Sequence, residues 1–116
     1  MRWNNKEHVM TIHATFHEDA GHGWYQVNID ALRLLGVAGK ITSFSYQKGD
    51  FAYLEEDLDA STFFGAAEEQ GITVAVYRAD WRHTSPVRSY ACYSVPKDVA
   101  QAGGAATTAP CCPGRS

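Results

Sequence analysis

Apolar and polar residues alternate from Thr11 to His17, in the order Thr-Ile-His-Ala-Thr-Phe-His, as they do in a strand with one face in a core. Glu18 to Gly23 is acidic and glycine-bearing, which predicts a turn. Trp24-Tyr25-Gln26-Val27 then reads as a second strand, so the two segments form a hairpin. Asn28 is a good N-cap for a short helix over Ile29–Leu35, and Gly36 supplies the left-handed residue that ends it.

Lys48-Gly49 lies between two β-rich arms within Ile41–Asp57 and predicts a two-residue hairpin turn. In that register Tyr46 faces Phe51 and Phe44 faces Tyr53, so four rings project from one face. Ser43, Ser45, Ala52 and Leu54 line the other. Cross-strand aromatic pairs of this kind contribute about 0.2–1 kcal/mol each. Asp59 is expected to cap a helix over Ala60–Gln70, in which Ala60, Phe63, Phe64 and Ala67 form one stripe and Gly71 is the stop. Ile72 to Ala79 alternates again. Arg82-His83-Thr84-Ser85-Pro86 reads as a loop, and Val87–Tyr93 as an edge strand.

This order predicts an α+β fold: a small, mostly antiparallel sheet with two helices, one of them short. From Trp24 onward it matches a ferredoxin-like plan. Composition sets the limits of the domain. Residues 1–9 are polar and predict a flexible extension. Residues 10–95 form a single α+β domain. Residues 96–116, mostly Ala, Gly, Pro, Thr and Ser, predict a disordered tail that cannot bury enough surface to offset its ordering entropy. The 45% hydrophobic content suffices for a modest core. There is no apolar run of roughly 18 residues and no apolar stretch near the start of a secretory kind, so no membrane association is expected. Three cysteines, with Cys111 and Cys112 adjacent, close no disulfide framework and point to a reducing, cytoplasmic setting.

Charge and motifs then narrow the chemistry. Residues 10–95 carry six Lys/Arg against eleven Asp/Glu, a net of −5, and such a surface repels phosphate. Single-stranded nucleic acid therefore stays an alternative carried only by an aromatic sheet face, through Tyr25, Phe51 and Tyr53. His13, His17 and His22 suggest a metal-dependent enzyme. Yet His17 and His22 are five positions apart rather than the four of a zincin helix, and histidines on a surface hairpin are the simpler reading. Glu55, Glu56, Asp57 and Asp59 gather carboxylates beside a helix start, where negative charge favours the macrodipole without any catalysis. No phosphate loop, dinucleotide turn or nucleophile elbow is present. The sequence names no cofactor and no catalytic residue.

Gly21-His22-Gly23-Trp24, Leu35-Gly36-Val37-Ala38-Gly39-Lys40-Ile41, Ser45-Tyr46-Gln47-Lys48-Gly49-Asp50, Tyr53 to Ala60 and Ser85-Pro86-Val87-Arg88-Ser89-Tyr90 together resemble a family of small phage, plasmid and bacterial proteins. The likeness covers most of residues 10–93. It implies an accessory protein of a mobile element, of a kind that often binds or inhibits host systems, and it carries over no catalytic residue. Family members have Cys before the Asp-Ala pair where this chain has Leu58. That speaks against an essential thiol there. The leading expectation is thus a non-catalytic binder of another macromolecule, a protein. Its candidate contact residues are Tyr25, Phe44, Tyr46, Phe51, Tyr53, Glu55, Glu56 and Asp57, with His22, Trp24, Arg82 and Arg88 on loops.

Overall fold

The computed structural model describes residues 10–79 and 83–99. The elements run β1 (Thr11–Glu18), β2 (Gly23–Asn28), α1 (Ile29–Leu35), β3 (Tyr46–Lys48), β4 (Phe51–Glu55), α2 (Asp59–Glu69), β5 (Thr73–Arg78), a 3-10 turn (Pro86–Ser89) and β6 (Ala91–Cys92). They form an α+β fold on one six-stranded sheet of order β5-β1-β2-β4-β3-β6. Every neighbouring pair is antiparallel except β1 with β5.

From β2 onward the strands follow the split βαβ arrangement, with β4 inserted antiparallel beside both β2 and β3. The departure is β1. It wedges between β2 and β5 and takes β5 as a parallel neighbour, from Thr11 opposite Thr73 to Phe16 opposite Arg78.

The strand alternation sorts residues onto two faces. Ile12, Ala14, Val27, Ala52 and Leu54 point toward the helices and bury against Leu32, Leu35, Ala60, Phe63 and Ala67. Asn28 caps α1 as expected, its Oδ1 accepting the Asp30 N–H at 2.8 Å, and Gly36 ends the helix at φ +79°. The opposite face holds a second, aromatic cluster of Trp24, Tyr46, Tyr53 and Val87, with Tyr90 and Cys92 packed against it.

Four expectations are corrected. The hairpin turns at Gly49-Asp50, not Lys48-Gly49, so Tyr46 faces Tyr53 and Lys48 faces Phe51. Gly49 takes φ +60° and no non-glycine residue among those described, Asp50 included, has positive φ, which is the pattern of a type II′ turn with glycine first. Tyr46, Phe51 and Tyr53 do share a face, but Phe44 precedes the strand and stands half exposed in a turn. α2 starts at Asp59 rather than Ala60, and Asp59 does not cap it; the N-cap position is Leu58. The stretch Val87–Tyr93 is a 3-10 turn followed by a two-residue strand, because Ser85 caps, and Pro86 at the first position opens, a helical turn.

Packing also continues past Val95. Val95 and Val99 lie on the helix-side core, and Asp98 reaches Arg33 at 3.2 Å. Residues 1–9, most of the expected tail, and Arg82 fall outside the described residues. No helix among the described residues is long and apolar enough to cross a membrane. Cys92 is in a disulfide, in contrast to the reduced thiols that the cysteine spacing suggests.

Candidate functional site

The loop-rich end of the sheet is built around one carboxylate. Asp19 is buried, and its Oδ1 accepts from the Gly21 and His22 amides at 2.9 and 3.0 Å. Its Oδ2 accepts from the Ser85 N–H at 2.9 Å and from Arg88 Nε at 2.6 Å, while Arg88 Nη2 reaches Oδ1 at 3.0 Å. The Arg88 guanidinium therefore holds the Asp19 carboxyl well below the usual carboxylate range, against burial, with the three amides assisting. Arg88 also lies 5.4 Å over the Trp24 ring. This clasp ties the β1–β2 turn to the 3-10 turn and seats Val87 on the aromatic cluster. Arg88 and Trp24 are thus positioned as structure, and His22 rests against Trp24 with ring centroids 5.9 Å apart.

The neighbouring acidic run divides its labour. Glu55 accepts the Asp57 and Leu58 amides at 2.9 and 2.7 Å, the capping work expected of Asp59. Glu56 crowds Gly23, where an added Cβ would stand 2.5 Å from both Glu56 Oε1 and Phe16 Cζ. Asp57 is exposed in a turn. Asp59 is fully buried. Its Oδ2 takes Thr42 N–H, Thr42 Oγ1 and Ser45 Oγ at 3.1, 2.7 and 2.6 Å, and its Oδ1 has no hydrogen-bond partner among the described residues. Burial pushes this carboxyl up, with the Ser45 and Thr42 donors opposing. The run holds loops together rather than converging on a reacting centre.

The aromatic expectations split between the two faces. Tyr25 points to the helix side and meets Phe64 edge-on at 5.0 Å. Tyr53 and Tyr46 are buried on the other face, where Tyr90 lies tilted against Tyr53 at 5.0 Å and, after burial, helps raise the Tyr53 hydroxyl. Phe51 is 38% exposed there. Tyr25, Phe51 and Tyr53 therefore do not form one stacking platform.

What the sequence did not single out is the open half of that second face. Val87 and Tyr90 pack over the β2–β4–β3 side, whereas on β5 and β1 Thr11, His13, Thr73 and Tyr77 are exposed and Thr15, His17 and Ala75 half-buried. A straight row crosses five strands: Tyr77, Thr15, Gln26, Tyr53, Tyr46. On its open side Tyr77 is 55% exposed and stacks on His13 at 5.8 Å, with its hydroxyl 3.3 Å from His13 Nδ1. His17 Nε2 meets Gln26 Oε1 at 2.7 Å, a contact in which the imidazole donates. Strand rise sets His13 and His17 about 13 Å apart. His22 sits beyond the strand, and no group of three metal-ligating side chains gathers among the described residues. Alternation of Tyr77 with Val76, and of His13 and His17 with Ile12 and Phe16, was the available signal.

No known protein family, curated protein or solved structure matches the chain.

Proposed function

We propose that this chain is a non-catalytic accessory protein that works by binding another protein through the open half of its sheet. The observation that carries the reading is the β5–β1 surface, where Thr73, Tyr77, Thr11 and His13 stand exposed and Ala75, Thr15, His17 and Gln26 half-buried on one side. None of these positions is an Asp, Glu, Lys or Arg. Among the described residues the acids lie on turns, in the helices and at the strand ends Glu18 and Glu55.

Such a surface suits a neutral, hydrogen-bonding protein patch with an aromatic anchor at Tyr77. It offers no cation to phosphate, which disfavours nucleic acid. A role in a phage or plasmid, directed at a host system, rests on the resemblance of the sequence segments given above.

The test is retention of a bacterial-lysate protein on the immobilised chain at physiological salt, run beside Tyr77→Asp and Thr15→Asp variants whose circular dichroism is unchanged. Wild type retains a partner that both variants lose. No retained protein, or one held equally by all three, overturns the reading.

A further inference from the structure

The outer edge of β5 is separate from the open face and carries its own pattern. β5 ends the sheet order, so nothing among the described residues pairs with that edge. Thr73 N–H donates to Met10 O at 3.3 Å and Ala79 N–H to Phe16 O at 2.9 Å, which fixes the phase of the strand. The amides of Val74, Val76 and Arg78 therefore point away from β1. The strand has no proline, lysine or bulge to blunt its edge, and Val76 is 45% exposed.

Charge says what fits there. α2 closes on Glu68 and Glu69 with no basic residue in its last turn, acids set at the negative end of a helix dipole. Four residues after Glu69 β5 begins; at its far end stands Arg78, its side chain 72% exposed and its guanidinium 3.3 Å from Glu18 Oε1 at the end of β1. Val74, Val76 and Arg78 alternate onto the helix side of the sheet, the side that α2 occupies. The strand is thus acidic before its start and basic at its finish, a polarity that is self-complementary only when two copies run antiparallel.

We propose that the chain forms a homodimer by antiparallel pairing of β5 with β5 of a second copy, joining two sheets into one. The outward amides set the register: Val76 meets its own copy on the two-fold axis, and Val74 lies opposite the partner's Arg78. That guanidinium then lies on the side of Glu68 and Glu69 and supplies the cation missing from the end of α2. The contact is isologous, so it closes at two copies.

Sedimentation equilibrium of the full chain, from micromolar to millimolar, tests it together with hydrogen exchange. The expected mass approaches twice the 12.8 kDa of one chain, and the Val74, Val76 and Arg78 amides gain protection as the dimer forms. Val76→Pro, with circular dichroism unchanged, sediments as one chain. Arg78→Glu weakens the dimer at least tenfold, and adding Glu68→Lys and Glu69→Lys restores it, a rescue that a folding defect would not show. A single-chain mass at every concentration overturns the proposal. So does protection of those three amides in the monomer, which would assign the edge to another stretch of the same chain. No outside partner is needed, so the result stands apart from the lysate experiment.

Discussion

Asp19 accepts five hydrogen bonds, from three amides and a guanidinium, and the three from Ser85 and Arg88 join segments that the chain alone leaves apart. Asp19→Ala strands the Ser85 amide and leaves Arg88 without its counter-charge. The cost is about 3 kcal/mol, at the low end for a broken buried pair because Arg88 can turn to water. Urea unfolding measures it. Asp19→Asn should fall short of Ala, since the amide oxygen keeps some of the backbone donors. In the sequence alone this residue is one of several acidic turn positions. Its five donors come from Gly21, His22 and the distant Ser85–Arg88 segment, and nothing in the local pattern of Glu18 to Gly23 announces the distant ones. Asp59 shows the same limit from the other side: an acid at a helix start looks like a cap, and only the Thr42–Ser45 loop folding over it reveals a buried acceptor.

Among the elements, those specified by neighbours a few residues away were legible. β1, β2 and α1 follow from period-two alternation, Asn28 and Gly36, all local signals. The β3–β4 hairpin was legible as a hairpin but read one residue out of register, since Lys-Gly and Gly-Asp both look like turns. Backbone geometry decides: the first turn position needs positive φ, and Gly49 supplies it at +60°. Gly49→Ala is therefore expected to cost about 1–2 kcal/mol, although an added methyl would touch nothing within 4 Å. Thermal or urea unfolding reads it. A loss below the error of measurement would mean that the turn relaxes to another type. The parallel β1–β5 pair escaped the sequence because both strands carry the same alternation as any antiparallel strand.

For the molecule as a whole, the two buried carboxylates set opposite slopes of stability against pH. Asp19 is held below its ordinary 3.8, so it takes up its proton in the unfolded chain first. Its contribution is complete above that value and is lost as pH falls toward the lower folded one. Asp59 is raised above 3.8, so the folded state holds its proton more tightly. Its contribution is present below 3.8 and is lost as pH rises through the folded value. Urea midpoints against pH should therefore drop steeply in acid and ease downward again on the other side of a mildly acidic maximum. Asp59→Asn removes the second decline and leaves the first; a variant curve parallel to wild type would refute the assignment. The open sheet half was half legible in the same sense. Its residues alternate in plain view, but which part stays open depends on where the Ser85–Tyr90 segment lies down.

The wedge position of β1 also bears on how the chain is made. On the ribosome β1 emerges first and finds β2 almost at once, yet its other edge waits for β5, which appears only after both helices have been synthesised. Through that interval the nascent chain displays an unpaired rim beside Ile12, Ala14 and Phe16, the kind of template on which neighbouring chains in a polysome can stick. Slow translation between Glu18 and Thr73 lengthens that exposure, and a holdase that shields β1 shortens it.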